Sequence, residues 1–325
     1  MKAAQLIGPR NFEIVDVPTP EVSSGNCLVQ IESWSICGSD IRNTYGTVLN
    51  EEEYPFEPGH PGHEIAGTVV ESFSDEFNSG DRVIVLPQGD IGVVEYIEAL
   101  PGRMIRIPDE GGFDEWLMCQ PSGTVLYACQ QIGTLLGKNV VVIGQGAIGL
   151  SFTAMIARSG AQKVIAADLF DYRLAYSKQF GATHTVNPSK EQLQEAVVDI
   201  LGGQKPDVVI EAAGYTDTLN AALNLVTSFG TVVMFGIQQR SPEHDFVIPI
   251  EFRDFRNKNA RLVSMAAGHT GDVRTHIETM IELKQRGWWD PAEMITHRVG
   301  FDDVKQAYDM YTDRADGMVK VVMER

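Results

Sequence analysis

The segment "VVVIGQGAIGLSFTAMIARSG" restricts the possible folds of this chain more than any other stretch, because an apolar run, three glycines and a helical pattern follow one another directly. Gly144, Gly146 and Gly149 form the pattern G-x-G-x-x-G. In a strand–turn–helix unit, the first glycine permits a tight turn, the second lets the backbone approach a pyrophosphate, and the third allows close packing of helix and strand. The helix begins with Ala147 and Ile148, where free N–H groups face a phosphate. The segment therefore predicts dinucleotide binding; glycines that serve only packing are the alternative.

A second apolar run, "KVIAAD", ends at Asp168, about twenty residues after the last glycine. A carboxylate at this place accepts hydrogen bonds from both ribose hydroxyls of an adenosine, and it repels a 2′-phosphate. The next residue is Leu169, which offers a phosphate nothing, so the pattern favours NAD over NADP. Arg173 lies a little further on and leaves NADP binding open.

The distribution of apolar runs indicates two domains, which also suits the length of 325 residues. The first hundred residues contain β-rich runs separated by Gly, Pro, Asn and Ser, without a helix-sized periodic segment. From about residue 120, short apolar runs alternate with helical stretches, which is typical of a parallel sheet covered on both faces. We predict an α/β protein with a Rossmann doubly wound parallel sheet over residues 124–265 and a β-rich domain built from residues 1–123 and 266–325.

Composition excludes several classes of function. The net charge of −18 argues against a nucleic-acid partner, because phosphate binding needs a surface rich in Lys and Arg. The N-terminus lacks the apolar core of a secretory signal, and no apolar run approaches the ~18 residues of a membrane span. The four cysteines are widely scattered, which is typical of reduced thiols. We expect a cytoplasmic protein without nucleic-acid or membrane partners.

Two short stretches, "SICGSD" and "PGHPGHEIAG", contain residues that could meet at one metal ion. Cys37 supplies a soft thiolate and His63 an imidazole, which are ligand types that zinc prefers. Glu64 follows directly and could be a third ligand or a neighbour of the ligands. A catalytic zinc needs three protein ligands and one open position. By spacing alone, a buried free cysteine and a capping histidine are the alternative.

The order of several motifs along the chain carries a family resemblance. These motifs are "ICGSD", "PGHEIAGTVVE", "GDRVIV", "VVVIGQGAIGL", "DVVIEAAG", "GTVVMFG" and "ITHRVGFDDVKQAYDMY". Along essentially the whole length, the chain resembles the zinc-dependent medium-chain alcohol and polyol dehydrogenases, and within them the sorbitol dehydrogenase-like branch. The resemblance implies that the β-rich domain is GroES-like and catalytic, and that the protein is a homodimer or homotetramer.

The resemblance also implies roles for individual residues. Cys37 and His63 match the zinc ligands of the family, and Glu64 matches a glutamate that binds zinc or lies beside it. Ser39 matches the hydroxyl residue that hydrogen-bonds the substrate alcohol and passes on its proton. Asp40 matches the carboxylate that orients the ligand histidine, although it could instead cap the following helical turn.

Three departures from the family pattern change these expectations. No cysteine cluster follows "GDRVIVLP", so we expect one zinc per chain and no separate structural zinc. Gln120 in "CQPSG" stands at the fourth metal-facing position, where a glutamate or an equivalent ligand is usual, and Cys119 lies one residue off register. Arg42 replaces the histidine that relays the proton to solvent in many members, so the proton needs another route.

The function that the resemblance implies is NAD-dependent, zinc-assisted hydride transfer between a secondary alcohol and its ketone, in the cleft between the domains. Arg298 in "ITHRV" matches an arginine near the substrate in the polyol branch, which favours a polyol, sugar, cyclitol or amino-alcohol. An interdomain salt bridge is the other interpretation of Arg298. A zinc-independent reductase of the same superfamily and a non-catalytic dinucleotide-binding protein are the alternatives to the function as a whole.

Overall fold

The computed structural model describes residues 1–47, 49–238, 248–266 and 272–325 of the chain. By their internal contacts, these residues form two compact units. The first unit contains the described residues of 1–123 and 272–325, and the second contains 124–238 and 248–266. None of the helices in these ranges is long and apolar enough to cross a membrane.

The strands are numbered in chain order, and most are short. They are β1 Lys2–Gly8, β2 Asn11–Asp16, β3 Cys27–Ser35, β4 Glu64–Ser72, β5 Arg82–Val85, β6 Tyr96–Ala99, β7 Met104–Arg106, β8 Asn139–Ile143, β9 Lys163–Ala167, β10 His184–Val186, β11 Val208–Glu211, β12 Thr231–Met234, β13 Arg261–Ser264, β14 Ile295–Gly300 and β15 Lys320–Glu324.

The longer helices lie after residue 115, as the sequence pattern predicted. The α-helices are α1 Gly38–Asp40, α2 Phe113–Leu117, α3 Cys119–Ile132, α4 Ala147–Arg158, α5 Asp171–Gln179, α6 Leu193–Ile200, α7 Thr216–Leu225, α8 Phe252–Asn257, α9 Thr275–Gln285 and α10 Val304–Asp313. A π-helix covers Ile41–Tyr45, and short 3₁₀ turns cover Glu51–Glu53, Gln88–Asp90, Pro101–Arg103, Pro291–Met294, Phe301–Asp303 and Ala315–Gly317.

Within the described residues, the first unit is built on a mixed seven-stranded sheet and a separate hairpin of β1 and β2. The sheet order is β14-β15-β3-β4-β5-β7, and β6 adds to β3. The two strands β14 and β15 are parallel, and the remaining pairs of the sheet are antiparallel. Its core includes the almost fully buried aromatic side chains Trp34, Tyr45, Phe77 and Tyr308. This unit is the β-rich, GroES-like domain that the sequence predicted.

In the part of the chain that the structure describes, the second unit contains a six-stranded sheet with the order β10-β9-β8-β11-β12-β13. Every neighbouring pair is parallel. The apolar runs of β8 and β11 are buried on both faces, because helices connect parallel strands and cover the sheet. The parallel sheet with connecting helices confirms the predicted Rossmann-type fold.

Candidate metal centre and dinucleotide loop

The pairing of β3 with β4 explains how two distant stretches of sequence come to lie together. These strands are antiparallel, and Ser35 at the end of β3 pairs with Glu64 at the start of β4. The chain leaves β3 and reaches Cys37 two residues later, while His63 immediately precedes β4. The ends of one strand pair therefore position all three residues of the candidate metal site.

Cys37, His63 and Glu64 each offer one ligand atom, and these atoms lie within 4.8 Å of one another. Among the described residues, no other cluster of three or more His, Cys, Asp or Glu side chains has this geometry. Glu64 is buried, and the other two are partly buried. One thiolate, one imidazole and one carboxylate are a donor set that suits zinc with a fourth position left open. The residues present therefore fit the metal that the sequence predicts.

Asp40 contacts both sequence stretches of the site through its two carboxylate oxygens. Oδ2 accepts a hydrogen bond of 3.0 Å from the backbone N–H of Cys37, and Oδ1 lies 2.9 Å from Nδ1 of His63. The carboxylate places the proton of a neutral His63 on Nδ1, which leaves the lone pair of Nε2 for a metal. Asp90, an exposed residue, has its Oδ1 3.9 Å from the same Nδ1.

The charges around His63 favour its protonated form. Burial acts against the charged imidazole, but Asp40 and Cys37 outweigh it and raise the pKa of His63 well above its ordinary value. Because a ligand histidine must be neutral, protons compete with a metal for this side chain.

Lys320 contacts this site and Tyr308 contacts the stretch of chain that leads into it; sequence reasoning missed both. Nζ of Lys320 lies 2.7 Å from Oε2 of Glu64, and both side chains are almost fully buried. The hydroxyl of Tyr308, which is fully buried, donates to the carbonyl of Pro61, two residues before His63. The available signal for Lys320 was a single lysine inside the apolar strand "MVKVVM", because a buried ammonium needs a partner.

Gln120 lies in the first turn of α3 and is buried. Its Oε1 atom has no hydrogen-bond partner among the described residues, so a buried acceptor is left for a metal or a water molecule. Cys119 is different: burial raises the pKa of its thiol to about 12, and the charges that act on this pKa are those of Lys284 and Asp290. Cys119 therefore has the character of a buried core thiol and is not part of the cluster around Cys37.

The other residues singled out in the sequence have the following places. Ser39 is half-buried in α1, and Arg42 is half-buried in the π-helix that follows. The Arg298 guanidinium lies 2.7 Å from Oδ2 of Asp114 and 3.5 Å from Oε1 of Glu324. Arg298, Asp114 and Glu324 all belong to the first unit, so these ion pairs do not join the two domains. The interpretation of Arg298 as an interdomain salt bridge is therefore wrong.

The three glycines after β8 differ in what surrounds them. A Cβ on Gly149 would lie 1.7 Å from the carbonyl oxygen of Gly144, and Gly144 has the left-handed φ of +92°, where a Cβ would meet Ala213. A Cβ on Gly146 would meet nothing within 4 Å. Gly146 is the N-cap of α4, whose first residues are Ala147 and Ile148. Two of the glycines are thus needed by the fold, and the third leaves open space at a helix N-terminus.

Asp168 follows β9 directly and is held by backbone groups. Its Oδ2 accepts a hydrogen bond of 2.7 Å from the N–H of Gln145 in the glycine loop, and its Oδ1 accepts one of 3.0 Å from Phe170. Nη1 of Arg173 lies 3.8 Å from Oδ2, and the guanidinium lies over the rings of Phe170 and Tyr172. The carboxylate is therefore fixed beside the loop, with one cation close to it.

Comparisons with known proteins agree with this arrangement. The model of the family "Alcohol dehydrogenase GroES-like domain" matches residues 23–128, and the model "Zinc-binding dehydrogenase" matches residues 147–283. The chain belongs to the zinc-containing medium-chain alcohol dehydrogenase family.

Similar proteins match over nearly the whole chain. An uncharacterized zinc-type alcohol dehydrogenase-like protein of Haemophilus influenzae is 27% identical, with 99% of this chain and 98% of that protein covered. A sorbitol dehydrogenase of Bombyx mori is 27% identical, with 95% and 94% covered. A solved structure described as a zinc-binding dehydrogenase of Sinorhizobium meliloti, bound to NADP, has a TM-score of 0.84 and 25% identity, with 100% of this chain and 99% of that chain covered.

Proposed function

We propose that this zinc-dependent alcohol dehydrogenase interconverts a secondary alcohol of the polyol, sugar, cyclitol or amino-alcohol type and its ketone, with NAD and one zinc ion per chain. The observation that carries the proposal is the convergence of Cys37, His63 and Glu64 within 4.8 Å. A zinc-independent reductase needs no such donor set. The similarity to a sorbitol dehydrogenase supports a hydroxylated substrate.

The residues of the site would share the work as follows. Cys37, His63 and Glu64 hold the zinc, and the unpartnered Oε1 of buried Gln120 supports a place for Gln120 beside it. When bound, the zinc supplies Lewis acidity that lowers the pKa of a hydroxyl group in its open position. Asp40 orients His63. The hydroxyl of Ser39 would accept a hydrogen bond from the substrate alcohol and relay its proton, giving up its own proton to water as it takes the proton of the alcohol.

The cofactor is held by the second unit in this proposal. Gly144, Gly146 and Gly149 shape the loop, and the N–H groups at Ala147 and Ile148 face the pyrophosphate. Asp168 binds the ribose hydroxyls and disfavours a 2′-phosphate. Arg173 partly offsets the charge of Asp168. A similar protein binds NADP, so the preference for NAD needs its own measurement.

We also propose that the protein forms a homodimer or homotetramer in the cytoplasm. In the described residues, β13 pairs with β12 on one side, and three of its four residues are exposed, so it could pair with a second copy. The four cysteines are free thiols, which supports the cytoplasmic location because thiols stay reduced there. Light scattering after size exclusion measures the oligomeric state, and a monomer at micromolar concentration would contradict this part.

The function is tested by metal analysis together with a panel of polyols, sugar alcohols and simple secondary alcohols, each with NAD and with NADP. Cys37→Ala should lose zinc and turnover and keep its affinity for NAD, because the dinucleotide loop belongs to the other unit. Cys129→Ala is the matched control, since Cys129 is a buried thiol outside the cluster. Zinc-free turnover of activated double bonds would support the reductase instead. Bound zinc and NAD without turnover of any alcohol would support a non-catalytic protein.

A further inference from the structure

Lys320 is an unusual residue for its position. Its side chain is 2% exposed, and it begins β15, whose following residues Val321, Val322 and Met323 are buried and apolar. Burying an ammonium group is costly, and a buried ion pair is seldom more stable than an apolar pair of the same shape. The buried ammonium has an anionic partner, because Nζ of Lys320 lies 2.7 Å from Oε2 of the equally buried Glu64.

The ammonium of Lys320 joins the two stretches of chain that carry the candidate ligands. Nζ lies 2.7 Å from Oε2 of Glu64 and donates a second hydrogen bond of 2.7 Å to the carbonyl of Ile36, the residue before Cys37. Its backbone position is set by the sheet, because Val322 pairs with Ser35 in β3. One cation thus contacts the Cys37 stretch and the His63–Glu64 stretch together.

We propose that Lys320 is a positioning residue of the metal centre, which occupies one carboxylate oxygen of Glu64 and offsets its negative charge. This inference rests on the proposed function, because it requires that Cys37, His63 and Glu64 hold zinc. Two anionic donors, the Cys37 thiolate and the Glu64 carboxylate, then face the metal together with one fixed cation. The site binds zinc less tightly than its donors alone allow, and it stays more electron-withdrawing toward a hydroxyl group at the open position.

This role predicts a direction of change that a merely structural role does not. Removing the cation should strengthen zinc binding on the order of tenfold, because a unit charge that repels the metal is lost and Glu64 is released. If Lys320 only supports the fold, its removal should weaken zinc binding. The test is zinc affinity by competition with a chromogenic chelator for wild type, Lys320→Met and Lys320→Arg, each shown to be folded by near-UV circular dichroism.

The expected result is about tenfold tighter zinc binding by Lys320→Met with slower alcohol turnover, and an affinity within about threefold of wild type for Lys320→Arg. In a Glu64→Gln background, the gain from Lys320→Met should shrink, because no carboxylate remains to be released. Should Lys320→Met not fold, Lys320→Gln removes the charge and keeps a donor. Unchanged or weaker zinc binding by the folded neutral variants would overturn the proposal. A wild-type protein that binds no zinc would overturn the proposed function, and this role with it.

Discussion

Asp40 joins two parts of the metal site through one carboxylate, and the alternative that it caps the following helical turn is wrong, because its side chain makes no capping hydrogen bond to the π-helix Ile41–Tyr45. Oδ2 caps α1 through the N–H of Cys37, and Oδ1 contacts Nδ1 of His63. Asp40 is the third residue of α1, where a glutamine could also accept the hydrogen bond of a capping box, but a neutral amide would not supply the charge that orients an imidazole. The helix turn and the orientation of the histidine therefore depend on the same side chain.

Gln120 gives a prediction about charge at the metal centre. Gln120→Glu should strengthen zinc retention, because a carboxylate adds an anionic donor at a place where the buried Oε1 now has no partner among the described residues. It should also raise the pH at which alcohol oxidation reaches half of its maximum rate, since a less positive site lowers the pKa of a bound hydroxyl less. Chelator competition and the pH profile of kcat/KM measure the two effects.

The control for Gln120 is Gln120→Leu, which removes the polar atoms and keeps a similar volume. If Gln120 faces the metal, the leucine variant should lose zinc faster than wild type. Equal zinc retention in wild type and both variants would show that Gln120 does not face the metal.

Asp168 gives a prediction about the cofactor. Asp168→Ala should weaken NAD binding by about tenfold to a hundredfold, because hydrogen bonds to a charged acceptor contribute roughly 1.5–3 kcal/mol. The ratio of NAD affinity to NADP affinity should fall as well, because the variant lacks the carboxylate that repels a 2′-phosphate and leaves the guanidinium of Arg173 without the charge of Asp168 beside it. Fluorescence titration with both reduced cofactors tests this. A wild-type enzyme with higher kcat/KM for NADP contradicts the assignment.

The residues of the metal cluster could be predicted, whereas Lys320 could not. Cys37, His63 and Glu64 lie in short motifs that the family resemblance interprets. Lys320 meets Glu64 across a separation of 256 residues, and this contact depends on the pairing of β15 with β3. A single lysine in an apolar strand indicates that some partner exists, but the residue type alone does not identify the partner.

At the scale of elements, the turn from β8 to α4 contains one glycine that we expect to serve cofactor binding, Gly146, and one that serves packing, Gly149. Gly146→Ala should change the free energy of unfolding by no more than about 1 kcal/mol, because the new Cβ meets nothing within 4 Å. It should nevertheless reduce NAD affinity at least tenfold, since the methyl group occupies the space that a pyrophosphate needs. Chemical unfolding and cofactor titration measure the two quantities separately.

Gly149→Ala is the matched variant in the same turn. Its Cβ would lie 1.7 Å from the carbonyl oxygen of Gly144, so helix and strand must move apart. We expect a loss of stability above 2 kcal/mol by analogy with other overpacked cores, where the cost is about 1–3 kcal/mol or more. If Gly146→Ala and Gly149→Ala lowered the free energy of unfolding equally, the assignment of Gly146 to binding and Gly149 to packing would be contradicted.

A second element-scale feature joins the β1–β2 hairpin to α10. Arg10, in the hairpin turn, lies 2.6 Å from Asp309 and 2.7 Å from Asp313, and the hydroxyl of Tyr45 donates a hydrogen bond of 3.0 Å to Asp309. Burial opposes the charge of Asp309, but hydrogen bonds from Lys305, Arg10 and Tyr45 lower its pKa below the ordinary 3.8.

The lowered pKa of Asp309 predicts how stability depends on pH. A carboxylate whose pKa is lower in the folded protein than in the unfolded chain stabilises the fold at pH values above its ordinary pKa of 3.8. This contribution is lost as the pH falls through the pKa of the folded protein. Asp309→Asn should lower the free energy of unfolding by about 1 kcal/mol at pH 7, and this difference in stability between variant and wild type should shrink toward pH 3. Urea unfolding at both pH values checks this; a difference that does not depend on pH would mean that packing, and not charge, is lost.

For the whole molecule, we expect close to one zinc per chain. The described residues contain one cluster of the required geometry, and no cysteine lies between Cys37 and Cys119 in the sequence to build a second site. Removing the zinc with a chelator should lower the Tm, because a ligand that binds only the folded protein stabilises it. Elemental analysis that finds two firmly held zinc ions per chain would contradict the prediction.

The two-domain architecture could be predicted because its signals are local. Glycine spacing and alternating apolar runs indicate the parallel sheet, and β-rich runs with turn residues indicate the other domain. Long-range pairings could not be predicted from the sequence, because they depend on tertiary packing. Examples are the parallel pair of β14 and β15 and the ion pair of Arg298 with Asp114. Neither is encoded in a motif.

The discontinuous first unit also has a consequence for biosynthesis. Lys320 leaves the ribosome 256 residues after Glu64, a delay of roughly 13–50 s at 5–20 residues per second. Throughout that interval the nascent chain carries Cys37, His63 and Glu64 without the cation that contacts Glu64, while all of the second unit is being made. A metal ion captured in that interval would meet a more anionic set of ligands than the finished protein offers.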